Sequence, residues 1–263
     1  MDSVYLSLED APVNPAIWDL LDRTMADAAK SVLAGRRLIH IEGPFGLGLK
    51  AVPFADCVVD GGLSTSQTVP VSLVQTSFVV SKRDLAAYER DQVYFPIEPV
   101  ACAAINAATR EDEIIFRGTT GMNGLLNAEG AASQKLSSWN TVGKAADEVI
   151  QSITRLDEAG FHGPYCLALS PARYNLLLRR YPQGGTEMEH MRTIATEGVF
   201  KAPVLESGGV ILASGREYAS IVLGQDMAVG FIGPVQEQLE FSITESLALI
   251  IRQPESICAL TEK

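Results

Sequence analysis

The sequence predicts a mixed α+β fold, and three features carry that expectation. Apolar residues recur at intervals of three and four in several long stretches, the mark of helices with one buried face. Near the end, Leu239, Phe241, Ile243, Leu247, Leu249 and Ile251 alternate with period two, the mark of a strand. Between residues 43 and 70 the chain is instead punctuated by Gly43-Pro44, Gly46, Gly48, Pro53, Gly61, Gly62 and Pro70. That segment holds too little apolar surface for a core of its own and reads as a long hairpin-like excursion packed on something else. In a lone monomer such a loop needs a functional reason. In an assembly, a neighbouring subunit supplies one.

The first helix starts at Asn14-Pro15, a good N-cap followed by a residue tolerated at the first helical position. Ile17, Leu20, Leu21, Met25, Ala28, Val32 and Leu33 form its apolar face, and Gly35 is expected to stop it. A short strand is expected at 38–41 and a longer one at 69–80. A helix begins after Ser81, with Asp84 placed as in a capping box. Longer helices are expected over 96–116 and 141–159, with the small and polar segment 118–134 crossing between lobes. From Pro164 the pattern turns α/β, with strands at 165–169, 210–213 and 220–231 and helices at 172–181 and 187–197. Glu245 stands on the apolar face of the last strand, where an acid is costly unless it is paired or hydrogen-bonded.

The chain has 263 residues, 47% of them hydrophobic and 20% charged, enough for one large domain or two modest ones. No apolar run reaches membrane-spanning length, and the N-terminus lacks the basic and apolar regions of a secretory signal. The expected compartment is the cytoplasm. Cys57, Cys102, Cys166 and Cys258 are scattered without a CxxC pair and read as reduced thiols. A net charge of −11 without a basic patch argues against nucleic-acid binding.

The chemical motifs are weak. Gly43–Gly48 has neither the Gly-Lys-Ser/Thr of a P-loop nor a dinucleotide fingerprint, so it reads as turn chemistry. Glu187 and His190 form one Glu-x-x-His, whereas di-iron bundles need two plus further glutamates. A surface helix with solvated charges is the simpler reading. The run Arg110–Arg117 reads as a helix end with acids on its exposed face. His40, His162 and His190 lie far apart, and neither GxSxG nor HExxH occurs. No catalytic residue, metal ligand or cofactor-binding residue is assigned.

Five segments resemble the encapsulin shell family. They are Leu33-Ala34-Gly35-Arg36-Arg37 with Ile41-Glu42-Gly43-Pro44-Phe45-Gly46, then Glu111–Gly118 with Gly124-Leu125-Leu126, and then Gly163-Pro164-Tyr165. The last two are Leu223–Gly230 and Ile243-Thr244-Glu245. Order and approximate spacing agree over nearly the whole chain. The resemblance, to the family 1 encapsulin nanocompartment shells, implies the fold of tailed-phage major capsid proteins. Residues 1–42 would be an N-terminal arm and helix, 43–70 the E-loop, 71–134 the first part of the P-domain, 135–227 the A-domain and 228–263 the P-domain return.

The resemblance also implies a non-enzymatic, structural subunit that self-assembles into an icosahedral shell of roughly 60 copies or a quasi-equivalent multiple. Such shells enclose a cargo enzyme, commonly ferritin-like or a peroxidase, through its C-terminal targeting peptide. The docking groove between the N-terminal helix and the P-domain would include Met25, Ala29, Val32 and Ile243, with Ala29 small where some relatives carry an aromatic. The five-fold pore loop would be Arg180, Tyr181, Pro182, Gln183, Gly184 and Gly185. Glu245 is expected to pair with Arg36 or Arg37. Some relatives bind flavin through a Trp whose position here holds Arg83, so no cofactor is expected. Two other readings compete: a phage or prophage major capsid protein of the same fold, and a soluble α/β enzyme with a dispersed site. Large apolar contacts, not ion pairs, should drive assembly of so acidic a chain.

Overall fold

The computed structural model describes residues 5–92 and 94–262; residues 1–4 of the expected N-terminal arm lie outside the described residues. Helix α1 (Pro15–Val32) is followed by the four-residue α2 (Gly35–Leu38) and strand β1 (His40–Glu42). Strands β2 (Ala51–Asp60) and β3 (Leu63–Pro70) precede β4 (Ser72–Ser81), α3 (Lys82–Asp91) and α4 (Glu98–Arg117). Three short strands come next, β5 (Gly118–Thr119), β6 (Met122–Asn123) and β7 (Ala132–Lys135). Then follow α5 (Lys144–Glu158), β8 (Tyr165–Leu169), α6 (Pro171–Leu176), α7 (Glu187–Ile194) and β9 (Gly198–Lys201). The chain ends with β10 (Gly209–Ala213), β11 (Ala219–Val235), β12 (Gln238–Ile251) and β13 (Ile257–Thr261).

The chain forms two compact units. The first holds the chain up to Leu33, Gly43–Glu111 and Val222–Ala248; the second holds Ala34–Glu42, Asp112–Ile221 and the chain from Leu249 onward.

In the first unit, Asn14 caps α1 by accepting the Ile17 N–H at 3.1 Å, so the helix begins where the sequence places it. Ile17, Leu21, Met25 and Ala29 form its buried face. Strands β11, β12 and β4 lie side by side, and β12 pairs antiparallel with β4 from Gln238↔Ser81 to Leu247↔Ser72. Phe241 is the centre of the packing, stacked on Phe78 at 5.4 Å and edge-on to Trp18 and Phe231. Such aromatic pairs add about 0.5–1.5 kcal/mol each beyond their burial. The excursion is a hairpin of β2 and β3 with two register shifts, and most of its residues are exposed. The expected strand over 69–80 is broken at Val71, whose N–H bonds Lys50 O rather than a sheet partner. Ser81 caps α3 as expected, its hydroxyl accepting from the N–H groups of Arg83 and Asp84.

The second unit is built on a five-stranded sheet ordered β7-β13-β10-β8-β9. Leu167, Leu169, Ile211 and Leu260 share its core with Trp139, Val149, Leu156, Leu177 and Met191. Strands β9 and β13 lie outside the strands expected from sequence. Strand β13 is short, but it pairs antiparallel with β10 and parallel with β7, which draws the last fifteen residues into this unit. The segment 118–134 likewise belongs to this unit, where β5 and β6 form a small hairpin.

Two acids expected at an exposed helix end are buried instead: Glu111 is fully buried and Asp112 is 2% exposed. Asp112 accepts the N–H of Ala34 at 2.8 Å and of Gly35 at 2.9 Å. It thereby satisfies the start of α2, so Gly35 opens a second helix rather than ending the first. Gly35 fits closely there: a Cβ would lie 2.5 Å from Ile115 Cδ1 and 3.1 Å from Asp112 Oδ1, so a larger residue would push the Ile115 side chain aside.

A second cluster holds β1. Glu42 Oε1 accepts from Ser220 Oγ at 2.6 Å and from Arg252 at 3.1 Å, and Arg252 also donates to Ser220 Oγ. The Ser220 hydroxyl, and then Arg252 and Arg216, hold the Glu42 carboxyl below its ordinary range.

Replacing Asp112 with Ala strands two buried N–H groups and should cost about 2–4 kcal/mol, read as a lower guanidinium midpoint. Because the Glu42 pKa is depressed on folding, its contribution is present above the ordinary carboxylate range and lost as pH falls through the folded value. The stability difference between wild type and Glu42→Gln should accordingly be largest at neutral pH and shrink toward pH 3, measured by unfolding at several pH values.

Candidate functional site

The expected docking residues fall in the first unit. Met25, Ala29 and Val32 follow one another at spacings of four and three, one stripe of α1. Ala29 and Leu33 pack with Ala108 of α4 in a small apolar cluster, flanked by the half-buried Val32 and Met227. Met25 is 7% exposed and Ile243 fully buried, so neither presents a surface. Ile243 lies opposite Thr76 in the sheet, and the Thr76 hydroxyl donates to Ala103 O of α4 at 3.1 Å. The accessible apolar atoms therefore belong to Val32 and to Met227. Sequence reasoning passed over Met227 although it lies inside the segment Leu223–Gly230.

The expected pore loop lies in the second unit and is a closed turn. Arg180 bridges Thr186, Tyr181 N–H donates to Gly185 O at 3.1 Å, and Gly184 N–H donates to Tyr181 O at 3.0 Å. Pro182, Gln183, Gly184 and Gly185 are exposed at its tip. Thr186 then caps α7 in a reciprocal capping box with Glu189. The Tyr181 hydroxyl is 3.0 Å from His190 Nδ1, which ties the turn to that helix. Burial, and then Glu187 and Asp147, push the Tyr181 phenol up, so it is a neutral hydroxyl at physiological pH.

Glu187 is not the solvated charge its helix position suggested. It is fully buried, accepting the Gly143 N–H at 2.7 Å and pairing with Arg179 at 2.9 Å. The two members of the Glu-x-x-His pair thus have separate jobs. Glu187 anchors the base of the turn, and His190 contacts Tyr181.

Glu245 is fully buried in β12, opposite Val74. It falls in the first unit, whereas Arg36 and Arg37 fall in the second. Arg83, the position considered above for a cofactor, is exposed on α3. Among the described residues, no group of three or more His, Cys, Asp or Glu is placed to hold a metal ion, and no helix is long and apolar enough to cross a membrane.

Segments that looked independent in the sequence meet in space. Phe45 N–H donates to Leu223 O at 3.0 Å, and Gly46 N–H donates to Gly224 O at 2.6 Å. Gln225 N–H donates to Ser246 Oγ at 2.8 Å, and the Gln225 amide donates to the Thr244 hydroxyl at 2.9 Å. A Cβ on Gly224 would collide with Ser246 Oγ.

A β2–β3 excursion and a helix-backed sheet in one unit, with an α/β unit formed by the rest of the chain, are the parts of the phage-capsid fold. The fold matches a virus-like particle from Pyrococcus furiosus with a TM-score of 0.76 at 20% identity, covering 93% of this chain and 99% of that one. It also matches the capsid of the myovirus phage XM1 with a TM-score of 0.62 at 15% identity, covering 86% and 90%. Within that class the chain belongs to the encapsulin family: the family model described as "encapsulating protein for peroxidase" matches residues 1–248. It is 30% identical to the type 1 encapsulin shell protein EncA of Myxococcus xanthus, over 97% of this chain and 96% of that protein.

Replacing Glu187 with Ala leaves Arg179 and the Gly143 N–H without their shared acceptor and should destabilise the protein by about 2–3 kcal/mol. Thermal unfolding measures this, and faster proteolytic nicking at residues 181–185 should accompany it.

Proposed function

We propose that this chain is the wall subunit of a closed, cytoplasmic icosahedral compartment of roughly 60 copies or a quasi-equivalent multiple. In this reading the compartment encloses a cargo enzyme of the peroxidase or ferritin-like class. The observation that carries this is the full-length likeness to a named shell protein. The β2–β3 hairpin agrees with it, leaving Val58 82%, Val59 58% and Leu63 62% exposed. Apolar residues presented in this way suit burial against further copies of the chain. The family description supports a guest enzyme.

The docking groove for the cargo's C-terminal peptide is best placed at the Ala29, Leu33 and Ala108 cluster, with Val32 and Met227 as its accessible anchors. An apolar-anchor peptide mode suits these residues, and methionine adapts its shape to different guests. The turn from Arg180 to Gly185 is assigned to the five-fold pore, with Tyr181 and His190 setting its conformation. The strong acidity of the chain favours protein cargo over a DNA-filled capsid.

Negative-stain microscopy of the purified protein should show hollow particles that persist in about 1 M salt, where screening extends over only about 3 Å. A monomer or dimer on size-exclusion chromatography would sink the proposal, and particles filled with nucleic acid would favour a capsid instead. With shells intact, Val32→Asp and Met227→Asp should each cut co-purification of the peptide-tagged cargo by about tenfold or more. Undiminished loading in both variants would move the groove elsewhere.

A further inference from the structure

The chain contains one Asn-Gly step, Asn123-Gly124, at the end of the small β5–β6 hairpin in the second unit. Asn is a chemically labile residue, and most so before glycine, which leaves its backbone nitrogen open to the preceding Asn Cγ. Asn123 is exposed, so water and hydroxide reach it.

The fold nevertheless keeps glycine at this position. A Cβ on Gly124 would lie 2.3 Å from Gly118 N and 2.6 Å from the backbone N and C of Arg117, atoms that cannot swing aside as a side chain does. Gly118 itself has φ +76°, and a Cβ there would lie 2.3 Å from Met122 O. Close crossing of two glycines makes the hairpin, so protection of the labile step has to come from another residue.

That residue is Asn127. Its Oδ1 accepts the Gly124 N–H at 2.7 Å, while its Nδ2 donates to Arg117 O at 3.1 Å. The Asn127 N–H donates to Gly124 O at 3.3 Å, which closes a turn around the same glycine. One side-chain amide thus holds the nucleophilic nitrogen by its proton and is itself anchored to the last residue of α4. On one side of the step, Asn123 pairs with Gly118 in the β5–β6 ladder. On the other, the N–H groups of Leu125 and Leu126 donate to Ile115 O and Phe116 O at 2.9 Å each. Ring closure needs Gly124 N to lose its proton and its peptide plane to turn toward Asn123 Cγ. These bonds oppose both.

We propose that Asn123 is a latent deamidation site whose reaction is held off by Asn127. In the reaction Gly124 N gives up its proton and bonds to Asn123 Cγ. The Cγ–Nδ2 bond then breaks, and ammonia leaves with that proton to give a succinimide. Water opens the ring at either carbonyl, to aspartate or to isoaspartate, so one water enters and one ammonia leaves. Isoaspartate lengthens the backbone of β6 by one carbon beside Met122, which is 5% exposed and whose Sδ accepts the Leu249 N–H at 2.9 Å. The modification therefore marks subunits in which this hairpin has opened.

Peptide-mapping mass spectrometry of the full chain, incubated in mildly alkaline buffer, tests this through the one-dalton gain and the separate elution of isoaspartyl peptides. In the folded protein Asn123 should stay intact over a period in which the guanidinium-unfolded chain converts. Asn127→Ala should speed conversion in the folded protein by about tenfold or more, the factor that one ordinary net hydrogen bond represents. Asn127→Asp keeps an oxygen for the Gly124 N–H and should retain most of the protection. Glu187→Ala loosens the same unit without touching the hairpin and should leave the folded-state rate unchanged. If Asn127→Ala does not fold, hydrogen exchange of the wild type decides, and the Gly124 N–H should exchange about tenfold or more slowly than in the unfolded chain. Conversion of the folded wild type at the unfolded rate overturns the proposal. So do an unchanged rate in folded Asn127→Ala, equal acceleration by Glu187→Ala, and unprotected exchange at Gly124.

Discussion

Asp112 sits in the last two turns of α4, and its carboxylate accepts the backbone N–H groups of Ala34 and Gly35, residues 78 and 77 positions earlier in the chain. A four-residue helix cannot nucleate itself, since fixing its dihedrals costs more than its few hydrogen bonds return. Helix α2 exists because an acid on another helix satisfies the N–H groups at its start. Gly35 lets the chain approach closely, where Ile115 and Asp112 already occupy the space a side chain would need. Everything that α2 and β1 then position inherits this constraint: Arg37 and His40 on a pocket rim, and Glu42 against Ser220 and Arg252. One buried carboxylate thus joins two segments distant in sequence, Leu33–Arg37 and Glu111–Gly118.

The first unit has a comparable point at Gly224, where two backbone segments and a serine come within reach of one another. Phe45 and Gly46 donate to Leu223 and Gly224, while Ser246 accepts from Gln225. The excursion is therefore tied to the sheet by main-chain bonds at its root. Its tip is free to expose apolar residues. Such a division suits an arm that must be aimed by its own subunit and covered by another, because main-chain bonds fix direction without consuming side chains.

Much of this was legible in the sequence, for reasons that differ by element. Helices α1 and α5 showed because their buried residues repeat at helical spacing, and β12 because it alternates, with Phe241 and Ile243 inward. The β2–β3 hairpin showed through its glycines and its lack of a core. What stayed hidden was interaction at long range. Nothing local marks Glu111, Asp112 or Glu187 as buried, since each sits among charged neighbours on a helix and is buried by partners elsewhere in the chain. Strand β13 was hidden for the same reason: five residues carry little periodicity, and its place is set by β10 and β7. Along the stripe proposed for docking, the residues singled out from sequence, Met25 and Ile243, are buried, and Met227 was not singled out. A half-exposed methionine on a strand gives no signal until the helix beside it is known.

On the proposed placement of the docking groove its accessible surface is small, since Ala29 and Leu33 are buried and only Val32 and Met227 are partly exposed. Fully burying one aliphatic side chain contributes about 1.5–3 kcal/mol, so two anchors alone leave a single peptide weakly held once its ordering entropy is counted. A wall built from many identical subunits changes that arithmetic. A guest that is itself oligomeric presents several peptides to several grooves at once, and each later contact forms at high effective concentration. Weak individual docking is then an advantage, because loading stays reversible while the shell is open. Retention after closure is secured by the wall rather than by the groove. On this view the subunit needs no deep pocket for its cargo, and its buried carboxylates serve the geometry of the wall.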